Sequence, residues 1–167
     1  VSLQVLLCEK KAAIVGGWLD LLLEDYPPET VRFLKGQTDP FANPVGGIFR
    51  EAIAQLYEEL IGETDPGRSA ALLDRIVRIR AVQDLPPSRA LAFVPGLKKV
   101  VRSVLVNGSV RPEEWRELDD RIDRLALLAF DVYLACREKI HEIRFTELRN
   151  RTQLLLQRAG LVVDGDG

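Results

Sequence analysis

The side chains that could do chemistry are few, and the most telling of them stand on helix faces that are otherwise apolar. Arg80 and Gln83 fall on the side carrying Leu72, Leu73, Ile76 and Val77, and Arg137 lies beside Phe130 and Tyr133. Asp131 falls opposite the main apolar stripe of its helix, but Leu127, Leu128 and Leu134 make that side apolar too. A charge buried without a partner is too costly to keep. Arg80, Gln83, Asp131 and Arg137, joined by Asp123, are therefore expected to form one or two internal polar contacts, with Arg80 and Asp131 as a direct pair. The competing expectation is that Arg137 carries its head out to water and Asp131 sits at a solvent gap. The four residues make a candidate binding cluster, and structural ion pairs produce the same pattern.

Catalytic chemistry finds little support. His141 is the single histidine. With Glu138 and Glu142 nearby it falls short of the clustered ligands that zinc requires, and it stands on a charged stretch unsuited to an axial haem ligand. A Ser-His-Asp or Cys-His arrangement would need the same histidine, and no nucleophile-elbow sequence is present. Gly16-Gly17 and Gly46-Gly47 follow no strand, so they read as close helix packing and not as phosphate-binding loops. Asp119-Asp120 and Glu58-Glu59 read as solvated helix faces. No recognition helix with a basic face stands out for DNA. The expectation is a protein without catalytic residues, metal or cofactor.

The elements that must position these residues are helical throughout. Apolar positions from Leu3 to Leu22 recur at helical spacing, which predicts a first helix to about Glu24. Pro27-Pro28 ends it and opens a second through Lys35, closed by Gly36. Asn43-Pro44 caps a third helix that ends near Ile61 and Gly62, and Asp65-Pro66 starts a fourth that runs to about Asp84. Pro86-Pro87 forces extended backbone, Ser88 caps a fifth helix, and Pro95 should kink or break it. Asn107-Gly108 ends the fifth, and Arg111-Pro112 opens a sixth that reads without Gly or Pro to Gln157, with Gly160 as its stop. No segment alternates at period two. The fold class is all-α, a single bundle of about six helices with a long C-terminal helix.

Composition agrees with one domain. The 167 residues are 47% hydrophobic and 29% charged, with Lys plus Arg at 23 against Asp plus Glu at 25, a net charge of −2. That balance gives no general affinity for nucleic acid or anionic membrane. Lys10 and Lys11 follow the first apolar run where a signal peptide would have its charges before it. The apolar stretch from Leu125 to Cys136 is interrupted by Asp131 and is shorter than the about 20 residues a span requires. A cytoplasmic location is expected, with Cys8 and Cys136 as reduced thiols.

Three blocks carry a resemblance: DPFANPVG at Asp39 to Gly46, RIVRIRAVQDLPPSRALAFVPGLKKVV at Arg75 to Val101, and RIDRLALLAFDVYLACREKIHEIRFTEL at Arg121 to Leu148. In this order they resemble the N-terminal domain of the RsbT co-antagonist (RsbRD-type) proteins. The resemblance implies a non-haem, globin-like helical input domain of the stressosome type, one that dimerises and precedes a linking helix and a STAS domain. No STAS domain follows here, which fits either a truncated chain or a stand-alone input domain.

The reading that results is a sensor domain over 1–160 with a loose tail over 161–167. It is non-enzymatic and regulatory, cytoplasmic, a homodimer through the sixth helix, and associates with a regulatory protein partner. Beyond the core that helix carries Ile140, Ile143, Leu148, Leu154 and Leu155, which a second copy would bury. Two alternatives stay open. One is a small-ligand sensor with a pocket between the fourth, fifth and sixth helices; the other is an accessory subunit of a larger redox or sulfur-metabolism complex.

Overall fold

In the computed structural model the described residues are 2–83, 85–106 and 109–161. They form eight helices and no strand: α1 (Leu3–Glu9), α2 (Lys11–Leu23), α3 (Pro28–Gly36), α4 (Pro44–Ile61), α5 (Pro66–Ala81), α6 (Pro87–Leu91), α7 (Phe93–Val104) and α8 (Pro112–Arg158). The expected all-α class holds, and among the described residues no helix is long and apolar enough to cross a membrane. Two predicted helices are each split in two. The first breaks at Lys10, where the Tyr57 hydroxyl donates to the Leu7 carbonyl at 3.0 Å. An unbroken helix would have offered that oxygen to the Lys11 amide. The fifth breaks at Ala92 because Pro95 lacks the amide that the Leu91 carbonyl would accept.

The other boundaries follow their caps. Asn43 is buried and accepts from the Gly46 amide at 2.9 Å, while its Nδ2 donates to the carbonyls of Leu34 and Gln37. One side chain therefore caps α4 and ties it to the end of α3. Asp65 caps α5 through the Gly67 amide. α5 stops at Ala81, short of the expected Asp84, which lies outside the described residues. α6 begins at Pro87, with Ser88 inside it and not at its cap. The Asn107-Gly108 stop also lies outside the described residues, as does the tail beyond Leu161.

Five helices close a ring: α2 packs on α4, α4 on α5, α5 on α8, α8 on α7, and α7 back on α2. The ring encloses Trp18, Phe49, Tyr57, Leu73, Ile76, Phe93, Leu97 and Ile122, all essentially inaccessible. Each such side chain contributes roughly 1.5–3 kcal/mol by leaving water. Small residues set the approach of the helices. A Cβ on Gly17 would come within 2.8 Å of Val100 Cγ1, and one on Gly96 within 2.4 Å of Leu21 Cδ2, so side chains of each helix rest directly on the backbone of the other.

Of the two glycines at the start of α4, only Gly46 is confined, since an added Cβ would meet the Leu34 carbonyl at 2.4 Å and Asn43 Nδ2 at 2.2 Å; Gly47 has open space. Gly46→Ala is expected to cost about 1–3 kcal/mol. Gly47→Ala should stabilise the protein by about 0.5–1 kcal/mol through helix propensity. Urea denaturation of the two variants reads both signs.

Candidate functional site

Arg80 is the one arginine buried at the centre of the chain's polar structure, 1% exposed near the end of α5. Its guanidinium donates to the carbonyls of Ala90 at 3.3 Å, Leu22 at 3.2 Å and Arg89 at 3.2 Å, and to Asp25 Oδ2 at 2.8 Å. Asp25, just past α2, also pairs with Arg89 through its other oxygen. The Tyr26 ring lies 5.8 Å from the Arg80 guanidinium carbon, and the Tyr26 hydroxyl accepts from Gln83 Nε2. Burial pushes the Asp25 carboxyl up, but hydrogen bonds from Arg89 and Arg80, with their charges, hold it below the ordinary carboxylate range. All three guanidinium nitrogens of Arg80 and both carboxylate oxygens of Asp25 have partners within the protein. The cluster is a latch joining α2, α5 and α6.

The expected Arg80–Asp131 pair is not formed. Asp131 is exposed on α8, with no hydrogen bond or ion pair from its side chain among the described residues. Its neighbours Leu127 and Leu134 are 69% and 46% exposed, so the apolar side that carries it is a surface and not core. Asp123 pairs with Lys98 on α7 at 2.7 Å, outside the cluster. Arg137 does bridge α8 to α5, donating to the Ala81 carbonyl at 2.9 Å, one of the orphan acceptors at a helix end. Beside it, Tyr133 packs with Val77, Ala81 and Ala90. Arg80, Gln83 and Arg137 thus gather around the end of α5, and Asp131 stands apart from them. Sequence reasoning missed Asp25. Its signal was available: a carboxylate at a helix C-terminus opposes the helix dipole and calls for a cation.

Two surface features remain. A groove of about 710 Å³ runs between the α4–α5 turn and α8, lined by Leu60, Leu125, Leu127 and Leu128, with Arg124 and Asp131 among its polar residues. It shares α5 and α8 with the ligand pocket expected between the fourth, fifth and sixth helices, but the end of α4 and the α4–α5 turn line it where the fifth helix was expected. Glu59, nearly buried, shapes the turn by accepting from Arg68 at 2.9 Å and from the Asp65 amide at 3.3 Å.

The second feature is α8 itself. Its 47 residues span about 70 Å, and every residue from His141 to Leu155 is exposed. Phe145, Leu148, Leu154 and Leu155 are each more than half exposed. His141 is solvent-facing, and among the described residues no group of three or more His, Cys, Asp or Glu could hold a metal ion.

Removing one partner of a buried, fully bonded pair leaves the other stranded. Arg80→Met should cost about 3–5 kcal/mol. Asp25→Asn, which keeps acceptors, should cost about 1–2 kcal/mol. The lowered Asp25 carboxyl contributes stability that is complete above its unfolded value near 3.8 and is lost as pH falls through the folded one. Asp25→Asn should therefore flatten the acid limb of stability against pH, measured by urea titration from pH 6 to pH 2.

A family model described as the N-terminal domain of the RsbT co-antagonist protein rsbRD matches residues 12–148. An uncharacterized protein of Archaeoglobus fulgidus is 27% identical over 142 residues, which covers 80% of this chain and 82% of that protein. No solved structure matches the chain.

Proposed function

The chain belongs to the RsbT co-antagonist rsbRD N-terminal domain family, and on that premise we propose that it is a regulatory input domain that works by association and not by catalysis. α8 provides the surface: it dimerises with a second copy and presents the domain to a regulatory protein partner in the cytoplasm. The observation that carries this reading is the exposed run from His141 to Leu155 with its apolar residues. A projecting helix with that many uncovered aliphatic and aromatic side chains gains several kcal/mol on burial, roughly 1.5–3 for each one fully covered. The chain's net charge of −2 gives no general pull toward nucleic acid.

The groove beside Leu127 and Leu128 supports a second reading, a sensor for a small ligand with an apolar body. A reproducible added mass on the chain in a native mass spectrum would favour it.

Light scattering at micromolar concentration should give twice the chain mass. Phe145→Glu combined with Leu148→Glu should shift the protein to monomer, weakening association by at least about tenfold. Both side chains lie outside the core, so thermal stability extrapolated to low concentration should not change. A concentration-independent monomer for the unaltered chain would sink the dimer.

A further inference from the structure

Periodicity makes one helix of the stretch from Leu3 to Leu23, and nothing local breaks it. Leu3, Leu7, Ile14, Trp18 and Leu21 fall within an arc of about 60° at the helical period. From Cys8 to Ala13 there is neither Gly nor Pro. The chain nevertheless bends at Lys10, and the bend leaves backbone groups without helical partners. The ladder of α2 starts with the Ile14 amide on the Lys10 carbonyl at 3.0 Å. Lys10 offers no side-chain cap to the amides of Lys11, Ala12 and Ala13. In a continuous helix these three would bond the carbonyls of Leu7, Cys8 and Glu9.

The contacts that hold α1 in the bent position come from far along the chain. The Tyr57 hydroxyl donates to the Leu7 carbonyl at 3.0 Å, Gln4 Nε2 to the Ile61 carbonyl at 2.7 Å, and the Leu3 amide to Glu114 Oε1 at 3.1 Å. Leu3 and Leu7 are the buried side chains of this seven-residue helix. They border a cleft of about 90 Å³ shared with Leu60, Ile61, Leu118 and Arg121, so the packing beneath α1 is incomplete. Leu60, Glu117 and Arg121 line both this cleft and the 710 Å³ groove, so the two meet beside α1. Cys8, Glu9, Lys10, Ala12 and Ala13 are all exposed, which leaves the outer side of the junction open.

We propose that α1 is a strap with two positions: docked on α4 and α8, or joined to α2 in one helix from Leu3 to Leu23 that stands clear of them. The docked position has the hydrogen bonds of Tyr57, Gln4 and Glu114 and covers two leucines. The straight position gives these up and restores three backbone bonds. A seven-residue helix adds little stability of its own to either side. Straightening uncovers Leu60 and Leu118 and joins the cleft to the groove, making one apolar channel along the end of α4 and the first part of α8. An apolar body that fills both parts binds the straight position alone and holds it there. Occupancy of the groove is thereby converted into movement of the first helix. Neither a second copy nor a bound ligand is needed for the strap to move.

Amide exchange separates straightening from fraying, because only straightening protects Lys11, Ala12 and Ala13. Tyr57→Phe leaves the Leu7 carbonyl without a donor in the docked position and costs nothing there in the straight one. Exchange followed by NMR should slow at these three amides by about twofold or more in Tyr57→Phe. In a Cys8→Ser, Cys136→Ser background, the thiol introduced by Leu7→Cys should react with a maleimide about tenfold faster once Tyr57→Phe is added. Gln4→Ala, a surface change that leaves the core intact, should move both readings the same way by a smaller factor, and it carries the test should Tyr57→Phe not fold. Adding Lys10→Gly should cancel the slowing, since glycine weakens a helix interior.

A reactive thiol with exchange at the three amides unchanged or faster means that α1 frays, which overturns the joined helix. Slowing that survives Lys10→Gly overturns it as well. A thiol that stays blocked in Tyr57→Phe and in Gln4→Ala overturns the strap itself.

Discussion

The buried Arg80 guanidinium is the interaction on which the rest of the domain depends. It engages three carbonyls and one carboxylate oxygen drawn from the end of α2, from Asp25 two residues beyond it, and from the α6 segment. Those are the places where the chain must reverse direction around Pro27-Pro28 and Pro86-Pro87, and where helix ends leave acceptors without amides. A hydrophobic side chain in that position would strand the carbonyls in a dry interior. With the arginine in place, the ends are pinned together, α2 can lie against α7, and the ring of five helices closes over Trp18 and Phe93. The Trp18 indole donates to the Phe93 carbonyl at 2.7 Å, which completes the same seam from inside.

The polar cluster therefore reads as architecture. Its central pair, Arg80 and Asp25, is engaged within the protein through all three guanidinium nitrogens and both carboxylate oxygens. The surface of α8 has the opposite character: among the described residues nothing covers its exposed apolar side chains, such as Leu127, Phe130, Phe145 and Leu148. Spare interaction capacity lies there. α8 serves both purposes because its buried side chains turn to the core and these turn to solvent.

Much of this was legible in the residues. Proline and glycine punctuation located most of the helix ends, and the Asn43-Pro44 and Asp65-Pro66 starts are found where side-chain caps predict them. The breaks at Lys10 and Ala92 divide into two kinds. Pro95 announces the second one locally, whereas the first depends on a tyrosine far along the chain whose hydroxyl takes the Leu7 carbonyl. The same distinction separates Arg80 from Asp131. A helical wheel shows that Arg80 faces the core. It cannot distinguish an apolar side that is buried from one left bare, and Asp131 is on a bare one.

The sequence by itself determined the helical class, most boundaries, the burial of Arg80 and the length of α8, because these follow from local propensity, capping and the period of the apolar pattern. Its blocks also carried the family. Only the tertiary structure decided which acid answers Arg80, that Arg137 caps α5, and which apolar side chains of α8 are left uncovered. Partners distant in the chain meet through the packing of whole helices, and no local rule encodes which of two apolar faces that packing will cover.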